Sequence, residues 1–265
     1  MDLQIAHDAA VAAALEAGAA IAGFYKDEYT VRDKGEDNPL TDADLAADKI
    51  LEQHLKGRFQ DTGWLSEETG DDKSRLEKGY CWIVDPLDGT REFTLGIPEF
   101  CVSVALIKGD EAVVGVLYNP ITQELFSGIV GVGAWYTKAG ERRDAKVTSH
   151  ANLDGAKVVC SRSEMKKGWF DPWKDQLDLR PVGSVAYKFG LVAAGLAEST
   201  FTNKPRNAWD IAGGVAIVAA AGGRSSNRHG QPYRFNQDKP LKDGVCGTNG
   251  VLHEQILEVM AQQAG

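Results

Sequence analysis

A short apolar run that meets a pair of aspartates constrains this chain more than any other feature. Cys81-Trp82-Ile83-Val84 is continuous and apolar, which predicts a buried strand. Asp85-Pro86 follows directly and predicts that the strand ends there in a turn. Because side chains at strand ends can converge on a cavity without breaking a sheet, the segment that follows is expected to border one.

The rest of the chain alternates between helical and strand-like patterns. Helices are expected over 3–25, from an N-cap at Thr41 to about Gly57, and over 184–196, 208–221 and 252–262. Strands are expected over 101–107, 112–118 and 124–129, joined by short turns as an antiparallel meander, and over 156–160. The pattern predicts a mixed α/β (α+β) fold with two sheet-containing layers, and 138–153 is the candidate joint between the halves.

Composition excludes several classes of protein. The 265 residues suffice for one domain or two tightly packed halves, and no stretch is expected to span a membrane. The net charge of −9 argues against a nucleic acid polymer or an anionic membrane as partner. The four cysteines are widely spaced, which predicts reduced core thiols in a cytoplasmic protein: Cys81, Cys101, Cys160 and Cys246. The five histidines are expected in surface segments: His7, His54, His150, His229 and His253.

The segment Asp85-Pro86-Leu87-Asp88-Gly89-Thr90 carries the chemistry most clearly. Two carboxylates separated across a proline turn, with the Leu87 carbonyl between them, make an oxygen-rich site for a hard cation. Backbone N–H groups of Gly89 and Thr90 at a tight turn or helix start suit phosphate oxygens. The alternative is that Asp-Pro and Asp-Gly are only turn-forming pairs.

Three further acidic residues each have a structural explanation beside the functional one. Glu67 follows an apolar residue and either joins the same cation or belongs to a solvated acidic loop. Asp44 stands three residues after Thr41, where a capping box explains it without chemistry. Asp210 begins an apolar helix, so it either favours the helix dipole or points a carboxylate into a cleft.

Taken together and in this order, these residues resemble the inositol monophosphatase superfamily of metal-dependent phosphomonoesterases. The resemblance covers the whole chain and implies a single phosphatase domain over 1–265, with halves near 1–145 and 146–265, folded as an α-β-α-β-α sandwich. It also implies two to three Mg²⁺ ions, inhibition by Li⁺ and a possible homodimer. By resemblance, one metal is held by Glu67, Asp85 and the Leu87 carbonyl, and a second by Asp85, Asp88 and Asp210. Glu67 would also reach a third, more weakly held ion.

The resemblance gives Asp44 and Thr90 the task of orienting and deprotonating the attacking water, and the backbone of Gly89 and Thr90 that of cradling phosphate. Metal ions suit this chemistry because they neutralise an anionic ester, generate a nucleophile and stabilise the leaving alkoxide. Haloacid dehalogenase-type phosphatases are excluded because their aspartates are separated by one residue, not two. A non-catalytic protein that binds cations or sugar phosphates would have no need of both Asp44 and Thr90.

The substrate is expected to be a small phosphate ester. Asp85 to Phe93, Ser66-Glu67-Glu68 and Ser161-Arg162-Ser163 resemble the bacterial 3'(2'),5'-bisphosphate nucleotidase branch, which favours adenosine 3',5'-bisphosphate. Asn203 replaces a glutamate that contacts sugar hydroxyls in many inositol monophosphatases, whereas Glu164 replaces a histidine frequent in the nucleotidase branch. Inositol-1-phosphate and histidinol phosphate therefore remain alternatives. The expected substrate contacts are Gly89, Thr90, Ser184, Lys204 and Arg206, although the last two equally suit a solvated loop.

Overall fold

The computed structural model describes residues 1–33 and 39–263 of the chain. The α-helices are α1 (Leu3–Phe24), α2 (Asp42–Arg58), α3 (Thr90–Thr94), α4 (Arg162–Lys166), α5 (Val185–Ala193), α6 (Ala208–Ala220) and α7 (His253–Gln263). The strands of the first half are β1 (Val31–Asp33), β2 (Pro39–Thr41), β3 (Gly63–Ser66), β4 (Tyr80–Asp88), β5 (Cys101–Lys108), β6 (Glu111–Asn119), β7 (Glu124–Ile129), β8 (Gly133–Lys138) and β9 (Glu141–Asp144). Those of the second half are β10 (Lys157–Cys160), β11 (Asp178–Pro181), β12 (Ser199–Thr202), β13 (Arg224–Ser226) and β14 (Val245–Thr248).

These elements stack as five alternating layers. Helices α1 and α2 cover one face of a seven-stranded sheet, and α5 and α6 cover the other. A five-stranded sheet packs on α5, and α7 lies against its outer side. Each sheet thus buries apolar side chains on both faces. The α-β-α-β-α architecture expected from the resemblance is confirmed.

The large sheet has the strand order β3-β4-β5-β6-β7-β8-β9. The meander expected for β5 to β7 is confirmed, and it continues through β8 and β9. Strand β9 lies inside the stretch 138–153 that was expected to be a polar joint, so that prediction is wrong over Glu141–Asp144. The sequence does not predict this strand because all four of its residues are exposed and polar. It therefore lacks the alternation of apolar and polar residues that is typical of a half-buried strand.

Strand β4 does not end at Asp85-Pro86 as predicted but continues to Asp88. Asp85 still pairs with Ser103, and the next pairing joins Asp88 to Cys101, with a register shift between them. Pro86 has no N–H to donate and lies within this bulge, where a missing donor is tolerated. The bulge re-aims the side chains that follow it and places two aspartates on one end of the strand.

The smaller sheet has the order β11-β10-β12-β14-β13, with parallel pairing of β10 to β11 and β12 and antiparallel pairing beyond. Only β10 was expected from the sequence. The other four strands have three or four residues each and lack an apolar run like the Val-Val-Cys of β10.

Helix α1 corrects the expectation that no segment is long enough to span a membrane. The helix has 22 residues, and an 18-residue window of it has a mean hydropathy of 1.4, which satisfies the length and composition of a membrane-spanning helix. Half of that window is nevertheless buried inside the protein, where alanines from Ala6 to Ala17 let the helix approach α2 and the sheet closely. The apolar composition of α1 therefore has an explanation in the core.

The cysteines are buried free thiols, as predicted. The histidines are not all on the surface as predicted, because His7 and His253 are buried. His253 Nε2 lies 2.9 Å from Ser226 Oγ, and its Nδ1 lies 3.0 Å from Thr248 Oγ1. Two hydroxyls thus satisfy the ring at the start of α7, and burial lowers the pKa of His253 to about 4.

We expect the free energy of unfolding to fall as pH decreases from 6.5 to 4, in part because of His253. Over this range the unfolded chain gains a proton on His253 that the native protein does not accept, and the shift corresponds to about 3 kcal/mol. Urea unfolding of the wild type and of His253→Gln at several pH values checks this. The difference between the two curves should change over this pH range and level off below it; parallel curves would contradict the assignment.

Candidate active site

The two aspartates of β4 and the turn after them form the base of a cavity. Asp85 Oδ1 accepts a hydrogen bond from the Leu87 N–H at 3.0 Å, and the Leu87 carbonyl accepts one from Thr90 Oγ1 at 2.9 Å. Gly89 has a φ of 101°, and a Cβ at this position would lie 3.0 Å from Phe100 Cβ. Glycine is therefore needed here for both conformation and space, and it starts α3 directly at Thr90 as predicted.

Three carboxylates from separate elements converge at this base. One oxygen each of Glu67, Asp85 and Asp210 lie within 4.8 Å of one another. Glu67 follows β3, which runs parallel to β4, and its N–H donates to the Val84 carbonyl at 3.3 Å. Asp210 comes from the first turn of α6 on the other side of the sheet. The fold thus joins residues that are more than a hundred positions apart in sequence.

Such crowding is electrostatically unfavourable without a cation. Burial raises the pKa of Asp85 well above its usual range, and the carboxylates of Glu67, Asp88 and Asp210 raise it further. The pKa of Asp210 is also raised, first by burial and then by Asp88 and Glu67. Carboxylates that are buried together repel one another, and a hard divalent cation with oxygen ligands relieves this repulsion. The residues present therefore fit Mg²⁺.

Asp88 lines the same cavity and is held from the opposite side by the start of α5. Its Oδ2 accepts hydrogen bonds from the Ser184 hydroxyl and from the Ala186 N–H, the latter at 2.5 Å. Burial raises the pKa of Asp88, and these two donors act in the opposite direction. Ser184, expected to contact substrate, thus lies in the cavity wall with its hydroxyl directed at a carboxylate.

Asp44 combines the helix cap considered from the sequence with a contact to Thr90 in the cavity. Its Oδ2 accepts hydrogen bonds from the Thr41 N–H at 2.8 Å and from the Thr41 hydroxyl at 2.6 Å, so the capping box exists. Its Oδ1 lies 3.0 Å from Thr90 Oγ1, which links the carboxylate to the cavity. One oxygen therefore caps α2 and the other meets the hydroxyl at the start of α3.

Asp210 likewise combines a cap with a place in the cluster. Its Oδ2 accepts a hydrogen bond from the Asn207 N–H at 3.0 Å, completing a capping box at the start of α6. The same side chain belongs to the carboxylate group with Glu67 and Asp85. The cap orients the carboxylate, so the two interpretations of this residue are compatible.

The cavity has a volume of about 550 Å³ and is lined by charges of both signs. Lys204 and Arg206 both line it. From the sequence, these two residues suited either the cleft or a solvated loop. The Lys204 Nζ also lies 5.0 Å from the centroid of the Trp169 ring. Further basic residues of the lining are Arg91, Arg162, Lys166 and Lys188.

Lys188, Arg162 and Glu92 line the cavity but were not among the predicted site residues. Lys188 is buried on α5, donates to the Ser184 carbonyl at 2.6 Å, and has its pKa lowered by burial. Arg162 makes a bidentate ion pair with Glu99, which also accepts the Gly183 N–H at 2.8 Å. A lysine within an apolar helical pattern was the one available signal for Lys188.

Comparison with known proteins agrees with this geometry. The family model described as the inositol monophosphatase family matches residues 2–264. The chain is 31% identical to the inositol-1-monophosphatase of Synechocystis sp., with 98% of this chain and 90% of that protein covered. Among solved structures it resembles the extragenic suppressor protein suhB of Bartonella henselae, with 27% identity, a TM-score of 0.83 and coverage of 96% and 97% of the two chains.

A second solved structure extends the likeness to another bacterial member. CysQ from Bacteroides thetaiotaomicron has 27% identity and a TM-score of 0.75, with 93% of this chain and 98% of that chain covered. The family match spans nearly the whole sequence, and the carboxylate cluster, the Thr90–Asp44 contact and the layered fold are all present in one molecule. This chain belongs to the inositol monophosphatase family and is a phosphoric monoester hydrolase of the magnesium-dependent type.

Proposed function

We propose that this protein hydrolyses a small phosphate monoester that carries a second anionic group, and that adenosine 3',5'-bisphosphate is its preferred substrate. The observation that carries this proposal is the cavity itself, where the carboxylate cluster and a set of basic side chains line one space. The cluster accounts for the phosphate that is hydrolysed. The basic side chains provide partners for the second phosphate, which is not hydrolysed.

Two to three Mg²⁺ ions would be held by Glu67, Asp85, Asp88, Asp210 and the Leu87 carbonyl. When bound, they supply positive charge for the anionic ester and lower the pKa of water. With such ions held, we expect Li⁺ to inhibit the enzyme, as the resemblance implies. We further propose that the enzyme is cytoplasmic and forms a homodimer. The buried free thiols are consistent with a reducing compartment.

The chain's own groups act on the proton and on the phosphate oxygens. Thr90 Oγ1 lies 3.0 Å from Asp44 Oδ1, so it can accept a proton from the attacking water as it passes its own proton to that carboxylate. The N–H groups of Gly89 and Thr90, at the turn into α3, would donate to phosphate oxygens. The water oxygen forms a new bond to phosphorus while the ester bond breaks. The leaving alkoxide takes up a proton from solvent water, and Asp44 returns its proton to solvent.

The surroundings of Asn203 count against a sugar polyol in this cavity. Its side-chain amide donates to the Met260 carbonyl of α7 at 2.9 Å, which ties it to the outer helix layer. Asn203 is not among the described residues that line the cavity. A residue placed in this way is poorly situated to accept hydrogen bonds from sugar hydroxyls, which is the task of a glutamate in many inositol monophosphatases.

Inositol-1-phosphate is the second candidate substrate. It is favoured by the similarity to relatives named inositol-1-monophosphatase, including those of Synechocystis sp. and Caulobacter vibrioides at 31% and 32% identity. Its polyol offers hydroxyls but no second anion. The two candidates therefore make different demands on the basic side chains of the cavity.

Neutralising Lys204 or Arg206 is expected to separate these substrates. In Lys204→Gln and Arg206→Gln, kcat/KM for adenosine 3',5'-bisphosphate should fall roughly 10- to 100-fold, since a charge-assisted hydrogen bond contributes about 1.5–3 kcal/mol. The value for inositol-1-phosphate should change little. Phosphate release from both substrates and from histidinol phosphate measures the effect.

Lys174→Gln is the matched control, because it removes the same charge at an exposed site outside the described cavity lining. It should leave both substrates unaffected. Equal losses for both substrates in the cavity variants, or a wild-type preference for inositol-1-phosphate, would contradict the proposed substrate class.

A further inference from the structure

Asp48 lies one helical turn after Asp44 in α2 and contacts the loop that carries Glu67. Its Oδ1 accepts a hydrogen bond from Ser66 Oγ at 2.5 Å, and its Oδ2 accepts one from Thr69 Oγ1 at 2.9 Å. Both carboxylate oxygens are thus engaged by hydroxyls that flank Glu67 on either side. Asp48 therefore binds the loop on both sides of Glu67, the candidate metal ligand.

The backbone around Glu67 is fixed by the same arrangement. Ser66 Oγ, which donates to Asp48, also accepts the Glu68 N–H at 3.2 Å. The Glu67 N–H itself donates to the Val84 carbonyl of β4, one residue before Asp85. Removing the Asp48 carboxylate would therefore release the Ser66 and Thr69 hydroxyls from α2.

We propose that Asp48 is a positioning residue that holds Glu67 in the geometry needed to bind Mg²⁺. Asp48 is not among the described residues that line the cavity, so it acts through the loop and not on the substrate. A loop that is already ordered loses less conformational entropy when its carboxylate engages a cation. The proposal rests on the metal site proposed above, in which Glu67 is a ligand.

Helix α2 thereby serves the site at two consecutive turns of one face. Asp44 meets Thr90, the hydroxyl at the start of α3, and Asp48 holds the loop after β3. Residues four apart on a helix lie on the same side, which is why one helix can reach both. A shift of α2 would disturb water activation and metal binding together.

Binding of Mg²⁺ alone to metal-stripped protein, measured by isothermal titration calorimetry, tests the proposal. In Asp48→Ala we expect the dissociation constant of the weakest site to rise on the order of tenfold or more, which is typical for loss of a group that orients a metal ligand. At saturating Mg²⁺ the kcat should stay within roughly threefold of wild type, because no group that touches the reacting atoms is lost.

Two further variants separate positioning from general damage. Asp48→Asn should bind Mg²⁺ nearly as wild type, because its amide oxygen accepts one hydroxyl bond and its NH₂ donates to the other hydroxyl. Glu52→Gln, one turn further along α2 and paired with Lys56 at 2.9 Å, is the control and should bind normally. Rescue by asparagine together with a normal control supports the positioning role.

Unchanged Mg²⁺ affinity in folded Asp48→Ala would overturn the proposal. If that variant fails to fold, Thr69→Val removes only one of the two hydroxyl bonds and should still weaken Mg²⁺ binding several-fold; unchanged affinity there overturns it equally. Failure of the metal site itself has a different signature. In that case the wild type would not bind Mg²⁺, or Glu67→Gln would bind it as tightly as wild type does.

Discussion

Replacing Asp85 with asparagine is expected to lower kcat by roughly 10³-fold or more, below detection in an ordinary phosphate-release assay. Asp85 is the central member of the carboxylate cluster, with Glu67 and Asp210 close to it and Asp88 at the end of the same strand. In the proposed metal site Asp85 would be a ligand of two ions, and metal ions contribute several kcal/mol to the stabilisation of the transition state. Each 1.36 kcal/mol corresponds to a tenfold change in rate.

The same variant should remain folded. Asparagine is isosteric, and its amide oxygen can accept the Leu87 N–H in place of Asp85 Oδ1. Removing one of several crowded carboxylates also relieves repulsion in metal-free protein, so we expect its melting temperature to equal or exceed that of metal-free wild type. Asp61→Asn, at an exposed position, is the control for activity. Unfolding of Asp85→Asn under conditions where metal-free wild type is stable would show that this residue is structural.

Replacing Asp44 with asparagine is expected to lower kcat by roughly 10²- to 10⁴-fold, the usual contribution of a general base. Affinity for Mg²⁺ and substrate should stay nearly unchanged, since Asp44 contacts Thr90 and Thr41. Because Oδ2 also caps α2, the variant should in addition lose about 1 kcal/mol of stability. Steady-state kinetics, Mg²⁺ titration and thermal melting of this one variant measure all three quantities.

Thr41→Ala provides the matched control for the cap. It removes the hydroxyl that bonds Asp44 Oδ2 but leaves the Thr41 N–H and the Thr90 contact in place. We expect lowered stability with turnover close to wild type. A normal kcat in Asp44→Asn accompanied by a lowered melting temperature would mean that Asp44 is a helix cap and nothing more.

The sequence predicted those parts of the fold that are long and periodic. Helices α1, α2 and α6 and strands β5 to β7 follow from the spacing of apolar residues, because each has enough turns or alternations for a pattern to emerge. The bulge in β4 could not be foreseen. The bulge depends on the pairing of Asp88 with Cys101 on a neighbouring strand. The dipeptide Asp85-Pro86 taken alone indicates only a turn.

The active-site residues were found because the family pattern links them, but their contacts are properties of the fold. Nothing local indicates that Asp44 serves both Thr41 and Thr90, since these residues are 49 positions apart along the chain. Lys188 and Asp48 were missed for the same reason. Each is one charged residue in a helix, and only the packing of α5 and α2 brings it to the site.

The surface between the two sheets explains why charges of both signs meet in one cavity. Glu67 and Asp85 lie at the carboxyl ends of β3 and β4 in the large sheet, whereas Lys204 and Arg206 follow β12 of the small sheet. In the proposed function, the carboxylate cluster would bind the phosphate that is hydrolysed, and Lys204 and Arg206 would bind the second phosphate.

Phosphate release by the metal-stripped wild-type enzyme, measured as Mg²⁺ is added, tests the central claim most directly. With adenosine 3',5'-bisphosphate, inositol-1-phosphate and histidinol phosphate as substrates, turnover should be absent under chelation and restored by Mg²⁺. The value of kcat/KM should be highest for the bisphosphate. Undiminished turnover under chelation, or no hydrolysis of any phosphate monoester at saturating Mg²⁺, would contradict the assignment of the carboxylate cluster as the catalytic metal site.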